Sequence, residues 1–132
     1  MQLSIGSYSF HRLLKSGKQD MFLYIKDCKR PGATQLDPWN ANLAVIYNND
    51  AEIRQKADLS DFRLDTSELA YLEKVKLAAE EAGLPFGCIA VDGVHIYESE
   101  ARLREGNRAV AYRWLEAMRS LCQIHSFQNF FF

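Results

Sequence analysis

A short apolar segment followed by an amphipathic helix occurs three times in this chain, and a fourth apolar segment follows the last helix. A βα repeat of this kind constrains the fold strongly. Each helix carries the chain back, so successive strands run parallel in one sheet. Parallel sheet is stable only when it is closed or covered on both faces. The expectation is an α/β chain forming part of a (β/α) barrel: about three βα units plus a fourth strand, all in parallel sheet. A complete eight-unit barrel takes roughly 250 residues, and the sequence has 132.

The first strand reads as Leu3 to Tyr8, with Leu3 and Ile5 alternating with Ser4, and Gly6 permitting close backbone approach. A helix follows over Gln19 to Arg30. Met21, Phe22, Ile25 and Cys28 recur at helical spacing there, and Pro31-Gly32 ends it. Ala33 to Leu36 is the second strand, stopped by Pro38, which has no N–H for a ladder. Asn42 to Leu64 has no single period; Asp50 to Ala57 reads as a short helix and the remainder as loop. Asp65 to Gly83 is the clearest helix. Asp65 and Glu68 resemble a capping box, Leu69, Leu72, Val75, Ala79 and Ala82 make the inward stripe, and Gly83 is the left-handed stop. Phe86 to Val91, almost unbroken in apolar character, reads as a strand buried on both faces, ending at Asp92-Gly93. Ser99 is placed to cap a third helix running to Leu121, with Val110, Trp114, Ala117 and Leu121 on its inner face and Ala111, Leu115 and Met118 widening it. Gln123 to Phe127 would start the fourth strand.

Composition removes several functional classes. Apolar residues make up 48% of the chain, enough for a sizeable core. Sixteen basic and 17 acidic residues leave a net charge of −1, with no basic run beyond Lys29-Arg30, so a nucleic-acid surface is not expected. The apolar run around Cys88 to Val91 is far too short to span a bilayer. Met-Gln-Leu-Ser-Ile-Gly lacks the charged start of a signal peptide. Cys28, Cys88 and Cys122 have no metal-type or CxxC spacing and read as reduced core thiols, which places the chain in the cytoplasm.

Several segments, in order and spacing, resemble the sugar phosphate isomerase/epimerase family, the xylose-isomerase-like TIM barrels that also include endonuclease IV. They are Ile5-Gly6-Ser7-Tyr8-Ser9-Phe10-His11, Gln35-Leu36-Asp37-Pro38-Trp39-Asn40 and Leu84 to Gly93, with His95-Ile96-Tyr97-Glu98, Asn107-Arg108 and Tyr112 to Leu115. The resemblance covers residues 1–121 and implies the amino-terminal half of a partial TIM barrel. After Leu121 the sequence departs from the family, which continues through a Gly-containing turn into an Arg-hydrophobic-Asp strand. Residues 122–132 form a divergent aromatic tail instead, expected from a truncated or frame-shifted gene, or from a short paralogue with its own ending. The family implies a divalent metal, Mn²⁺ or Mg²⁺, held by two Glu, an Asp and a His on later strands. That metal polarises the substrate carbonyl while carboxylates move a proton through an enediol-like intermediate. The expected ligands fall beyond this half, so no catalytic or metal-binding residue is assigned, and the chain alone is expected to be inactive.

Sites in parallel α/β folds lie at the carboxyl ends of the strands, which selects Tyr8, Phe10 and His11, then Asp37 and Trp39, then Asp92 and His95. His11 and His95 can exchange protons near neutral pH, or sit in water as surface histidines. Asp37 can accept a sugar hydroxyl or cap its own turn. Trp39 and Phe10 can wall a sugar ring or pack in the core. Asp92, before Gly93, can bind a ligand or merely close a turn. The open edges of a half-barrel invite self-association or pairing with a second half, the alternative role being a non-catalytic interaction module. Phe127, Phe130, Phe131 and Phe132 sharpen this, since each forfeits roughly 1.5–3 kcal/mol if left in water.

Overall fold

A computed structural model describes residues 1–56, 58–60 and 62–122. Strand β1 (Ser4–Gly6) runs into a 3₁₀ turn over Ser7–Phe10, the short helix α1 (His11–Lys15) and α2 (Met21–Lys29). Strand β2 (Gln35–Asp37) passes through a second 3₁₀ turn, Asn40–Asn42, into α3 (Ala44–Tyr47) and α4 (Asp50–Gln55). Two long helices follow, α5 (Thr66–Ala82) and α6 (Ala101–Leu121).

Side-chain caps set the ends of these helices. The Asp20 carboxylate accepts the Leu23 N–H at 2.8 Å and starts α2. At α5, Asp65 accepts the Glu68 N–H at 2.8 Å while Glu68 accepts the Asp65 N–H at 2.8 Å, a complete capping box. Gly83 ends that helix at φ 70°, a left-handed conformation cheap only for glycine. Helix α6 differs from expectation. Its N-cap is Glu100 rather than Ser99, and no side chain caps it.

The partial TIM barrel is not what the chain forms. The sheet has two strands, β1 and β2, parallel in the register Ser4–Gln35, Ile5–Leu36 and Gly6–Asp37. The third segment lies parallel beside β2 but meets it only at isolated bridges, Leu36–Phe86 and Trp39–Ala90. Between those bridges the register slips by one residue. Gly87 donates to the Leu36 carbonyl, but Pro38 has no N–H to return, and its carbonyl takes the N–H of Ala90 instead. The Cys88 N–H turns to the Asp37 carboxylate at 3.1 Å. The missing donor of Pro38 thus interrupts the ladder between the two bridges. Burial on both faces also fails: Phe86, Ile89 and Val91 are half-buried, and Gly87, Cys88 and Ala90 are exposed. Cys88 is therefore a surface thiol; Cys28 is buried and Cys122 intermediate. The expected fourth strand and the Phe-rich tail lie outside the described residues.

Helices supply most of the core. Helix α6 packs on α4 and α5, and α5 packs on α2. Met21, Tyr24, Leu36, Leu43, Ile46, Leu72, Val75 and Val110 are fully buried, each contributing roughly 1.5–3 kcal/mol. Gly106 lets α6 approach α4 closely, since a Cβ there would sit 3.0 Å from the Arg54 carbonyl oxygen. The inner stripe of α6 is the one expected, Val110, Trp114, Ala117 and Leu121, but Leu115, expected to widen it, is exposed. On α5, Leu69 is exposed, and the inward position beside it belongs to Glu68, which forms a buried ion pair with Arg113 of α6. Asn49 donates to Glu68 at 2.8 Å and Arg113 donates to the Arg63 carbonyl at 2.9 Å, so the pair is tied into its surroundings. Among the described residues no helix is long and apolar enough to cross a membrane.

Candidate functional site

At the carboxyl ends of β1 and β2 the chain turns sharply twice, and both turns are held by one hydroxyl. Ser7, fully buried, accepts the Trp39 N–H at 2.6 Å and donates to the Asn42 carboxamide oxygen at 2.8 Å. This fixes the backbone of Trp39 against that of the first turn. The 3₁₀ turn then presents Tyr8, 58% exposed, and His11 on the same side. Tyr8 and His11 stack with centroids 4.8 Å apart and planes 14° from parallel. His11 Nδ1 lies 2.9 Å from the Tyr8 carbonyl, which orients the imidazole. Tyr8 meets Trp39 edge to face, with centroids at 5.2 Å.

The third segment contributes Asp92. Its Oδ2 accepts the Trp39 indole N–H at 2.8 Å, and its carbonyl accepts the Asn40 side-chain N–H at 3.1 Å. The indole is thereby held at both ends, by Ser7 through its backbone and by Asp92 through its ring. Beyond Gly93 the loop is fastened by two side chains. Arg54 donates to the Gly93 carbonyl at 2.7 Å and to Asn107 at 3.2 Å, and Asn107 donates to the His95 carbonyl at 2.6 Å.

Trp39 and Asp92 also form one side of an open cleft of about 460 Å³, completed by Tyr47, Asn48, Asp50, Ala51, Arg54 and Gly93. Asp50 is 2% exposed. Its Oδ2 accepts the Trp114 indole N–H at 2.9 Å, while its Oδ1 has no hydrogen-bond partner among the described residues. Burial pushes this carboxyl above the usual carboxylate range, against the pull of the Trp114 hydrogen bond and of Arg54 and Arg113. A larger hollow, about 530 Å³, lies at the opposite end of the third segment between α5 and Leu121. Its lining is mostly apolar, Phe86 and Leu84 among it, with Lys76 and Glu80 as its charged residues, and it holds none of the strand-end residues.

Of the residues selected from sequence, Tyr8, His11, Trp39 and Asp92 come together. Three others do not join them. Phe10 packs edge to face on Tyr24 at 6.2 Å, against the core. Asp37 is occupied by its neighbours: besides the Cys88 N–H, its carboxylate accepts from Gln35 at 3.2 Å, and its N–H donates to the Tyr24 hydroxyl at 3.0 Å. That hydroxyl donates in turn to the Ile5 carbonyl at 2.6 Å, and burial raises the pKa of the phenol strongly. Asp37 therefore ties strand ends together. His95 is exposed on the loop and does not line the cleft. Sequence reasoning missed Asp50, Arg54, Tyr47 and Asn40. A buried Asp in a short helix four residues before an Arg was the available signal, but nothing in the sequence linked it to Asp92.

Among the described residues no three His, Cys, Asp or Glu side chains group so as to hold a metal ion. The Mn²⁺ or Mg²⁺ implied by the family resemblance does not fit the described side chains.

Compared with known proteins, the chain matches no family model, no curated protein and no solved structure. Its function therefore rests on the site itself.

Proposed function

We propose that the chain binds a small sugar or sugar phosphate at the carboxyl ends of its parallel strands, the substrate-holding part of isomerase or epimerase chemistry, and that it does not turn the substrate over by itself. The observation that carries this reading is the Trp39 indole, anchored by Asp92 and met edge to face by Tyr8, on which His11 stacks. A sugar has an apolar C–H face and a hydroxyl rim. An immobilised aromatic ring suits the first, and an adjacent carboxylate accepts hydrogen bonds from the second. Holding the indole before ligand arrives lowers the ordering cost of binding. The strand-end position agrees with the general placement of sites in parallel α/β proteins. The sequence resemblance to sugar phosphate isomerases and epimerases supports the same ligand class.

Isothermal titration calorimetry with a panel of monosaccharides tests it. Binding is expected for the native chain and at least about tenfold weaker binding for Trp39→Ala, with His95→Ala unchanged. No heat from any monosaccharide or monosaccharide phosphate up to about 10 mM would overturn the reading.

A second reading, an interaction module that pairs with itself or with a complementary chain, draws on the third segment. Phe86, Ile89 and Val91 are only half-buried, and the bonds of that segment run to β2. An apolar edge of this kind favours a covering partner. Light scattering across a concentration series distinguishes the two: growth in mass supports pairing, and a constant monomer mass rejects self-association.

A further inference from the structure

Two glycines make room for Arg54. At Gly106 of α6 a Cβ would come 3.0 Å from the Arg54 carbonyl oxygen, and at Gly93 a Cβ would come 3.0 Å from its Nη2. Gly93 also stands at φ 83°, a conformation cheap only for glycine. Between them the guanidinium is fixed by two hydrogen bonds, from Nε to Asn107 at 3.2 Å and from Nη2 to the Gly93 carbonyl at 2.7 Å. Those bonds leave both N–H groups of Nη1 unspent, with no partner among the described residues. Nη1 is not shut away either, because it is absent from the buried polar atoms that lack a partner. Among the described residues no carboxylate forms an ion pair with Arg54. The same residue lines the cleft of about 460 Å³ that Trp39 and Asp92 border. That volume falls in the range of small-molecule sites, about 300–1,000 Å³. Asp50 lines it too, but its unpartnered oxygen is buried away from the opening. Asp92 carries the opposing charge at the rim, with one oxygen already accepting from the Trp39 indole.

We infer that Arg54 receives an oxyanion carried by the sugar, a phosphate ester or a carboxylate, so that the cleft takes an acidic sugar in preference to its neutral parent. The inference rests on the sugar-binding reading and deepens it. A charged donor forms a hydrogen bond to an oxyanion roughly twice as strong as one between neutral groups. A guanidinium already held by Asn107 and Gly93 also loses little freedom when the ligand arrives. Trp39 meets the ring, Asp92 accepts hydrogen bonds from hydroxyls, and Nη1 of Arg54 donates to the anion. The two charges orient the ligand, its hydroxyls toward Asp92 and its anion toward Arg54.

The test is calorimetric titration of the native chain, at one ionic strength, with three sugars that differ only at C6: D-glucose, D-glucose 6-phosphate and D-glucuronate. At least one acidic sugar is expected to bind about tenfold more tightly than D-glucose, and the tighter of the two identifies the oxyanion. Inorganic phosphate should weaken binding of the acidic sugar and leave that of D-glucose unchanged. Arg54→Lys keeps the charge but loses the fixed planar fork. The affinity ratio of acidic over neutral sugar should fall at least about fivefold in it. Should that variant fail to fold, the phosphate competition on the native chain decides. An unchanged ratio in Arg54→Lys, or inorganic phosphate without effect on the acidic sugar, overturns the assignment to Arg54. Acidic sugars that bind no better than D-glucose overturn the preference while leaving a sugar site in place. Binding of none of the three overturns both this inference and the reading beneath it.

Discussion

Ser7 does more for the site than its size suggests. One buried hydroxyl accepts the Trp39 N–H and donates a hydrogen bond to the Asn42 side-chain oxygen, so it joins the turns after β1 and β2. Replacing it by alanine leaves a buried N–H without an acceptor, at a cost of about 1–3 kcal/mol. Ser7→Ala is therefore expected to lower the urea midpoint measurably and to weaken sugar binding, because Trp39 loses its backbone anchor. Asp50 behaves differently, because its folded pKa lies above the unfolded value near 3.8. Between those two values the native state holds a proton the unfolded state has released. Stability from this group is thus present at low pH and declines as pH rises from the unfolded value through the folded one. Asp50→Asn keeps an acceptor for Trp114 and removes that decline. Urea denaturation at several pH values should show a flatter profile for the variant, with stability at neutral pH no lower than that of the native chain. Two residues show how far the sequence could be read at this scale. Trp39 and Asp92 stood out from their strand-end positions, whereas Asp37, equally placed, is spent on the Cys88 N–H and Gln35. No local pattern separates those fates; they depend on which backbone donors the fold brings within reach.

Helices α5 and α6 carry the scaffold, and each has one position where a substitution is informative. Glu68 is at once the third residue of the capping box and the buried partner of Arg113. Glu68→Ala removes one half of the capping box, the acceptor of the Asp65 N–H, and leaves Arg113 without its carboxylate in the interior, so a loss of about 3–5 kcal/mol is expected by chemical denaturation. Asp65→Ala removes the cap alone and should cost about 0.5–2 kcal/mol. If Glu68→Ala costs no more than Asp65→Ala, the account of a stabilising interior ion pair is contradicted. At Gly106 the close approach of α6 to the Arg54 backbone makes a larger side chain an overpacking change. Gly106→Val is expected to cost about 1–3 kcal/mol and also to displace Arg54 from the cleft. The capping box, the Gly83 stop and the inner stripe of α6 were all legible in sequence, because each is written within four residues or one helical face. The Glu68–Arg113 pair was not, since its partners are 45 positions apart. The third strand misled for a related reason. Its apolar composition signals burial, but whether a ladder forms depends on Pro38 in a different segment.

At the scale of the molecule, a two-stranded parallel sheet that shares one core with α2, α5 and α6 presents one strand-end surface, and the proposed chemistry is concentrated there. The repeated βα pattern gave the parallel direction. It did not give the number of strands, because a strand requires paired neighbours as well as an apolar run. The chain has two tryptophans, and each donates its indole N–H to a carboxylate: Trp39 to Asp92 at the cleft rim, Trp114 to Asp50 in the interior. They form a matched pair of reporters, one at the proposed contact and one behind it. The decisive measurement follows the two indole N–H resonances by NMR as D-fructose is added. The Trp39 signal should shift saturably while the Trp114 signal moves far less. A titration in which neither signal moves, or in which both move together without saturating, would contradict a sugar site at the strand ends.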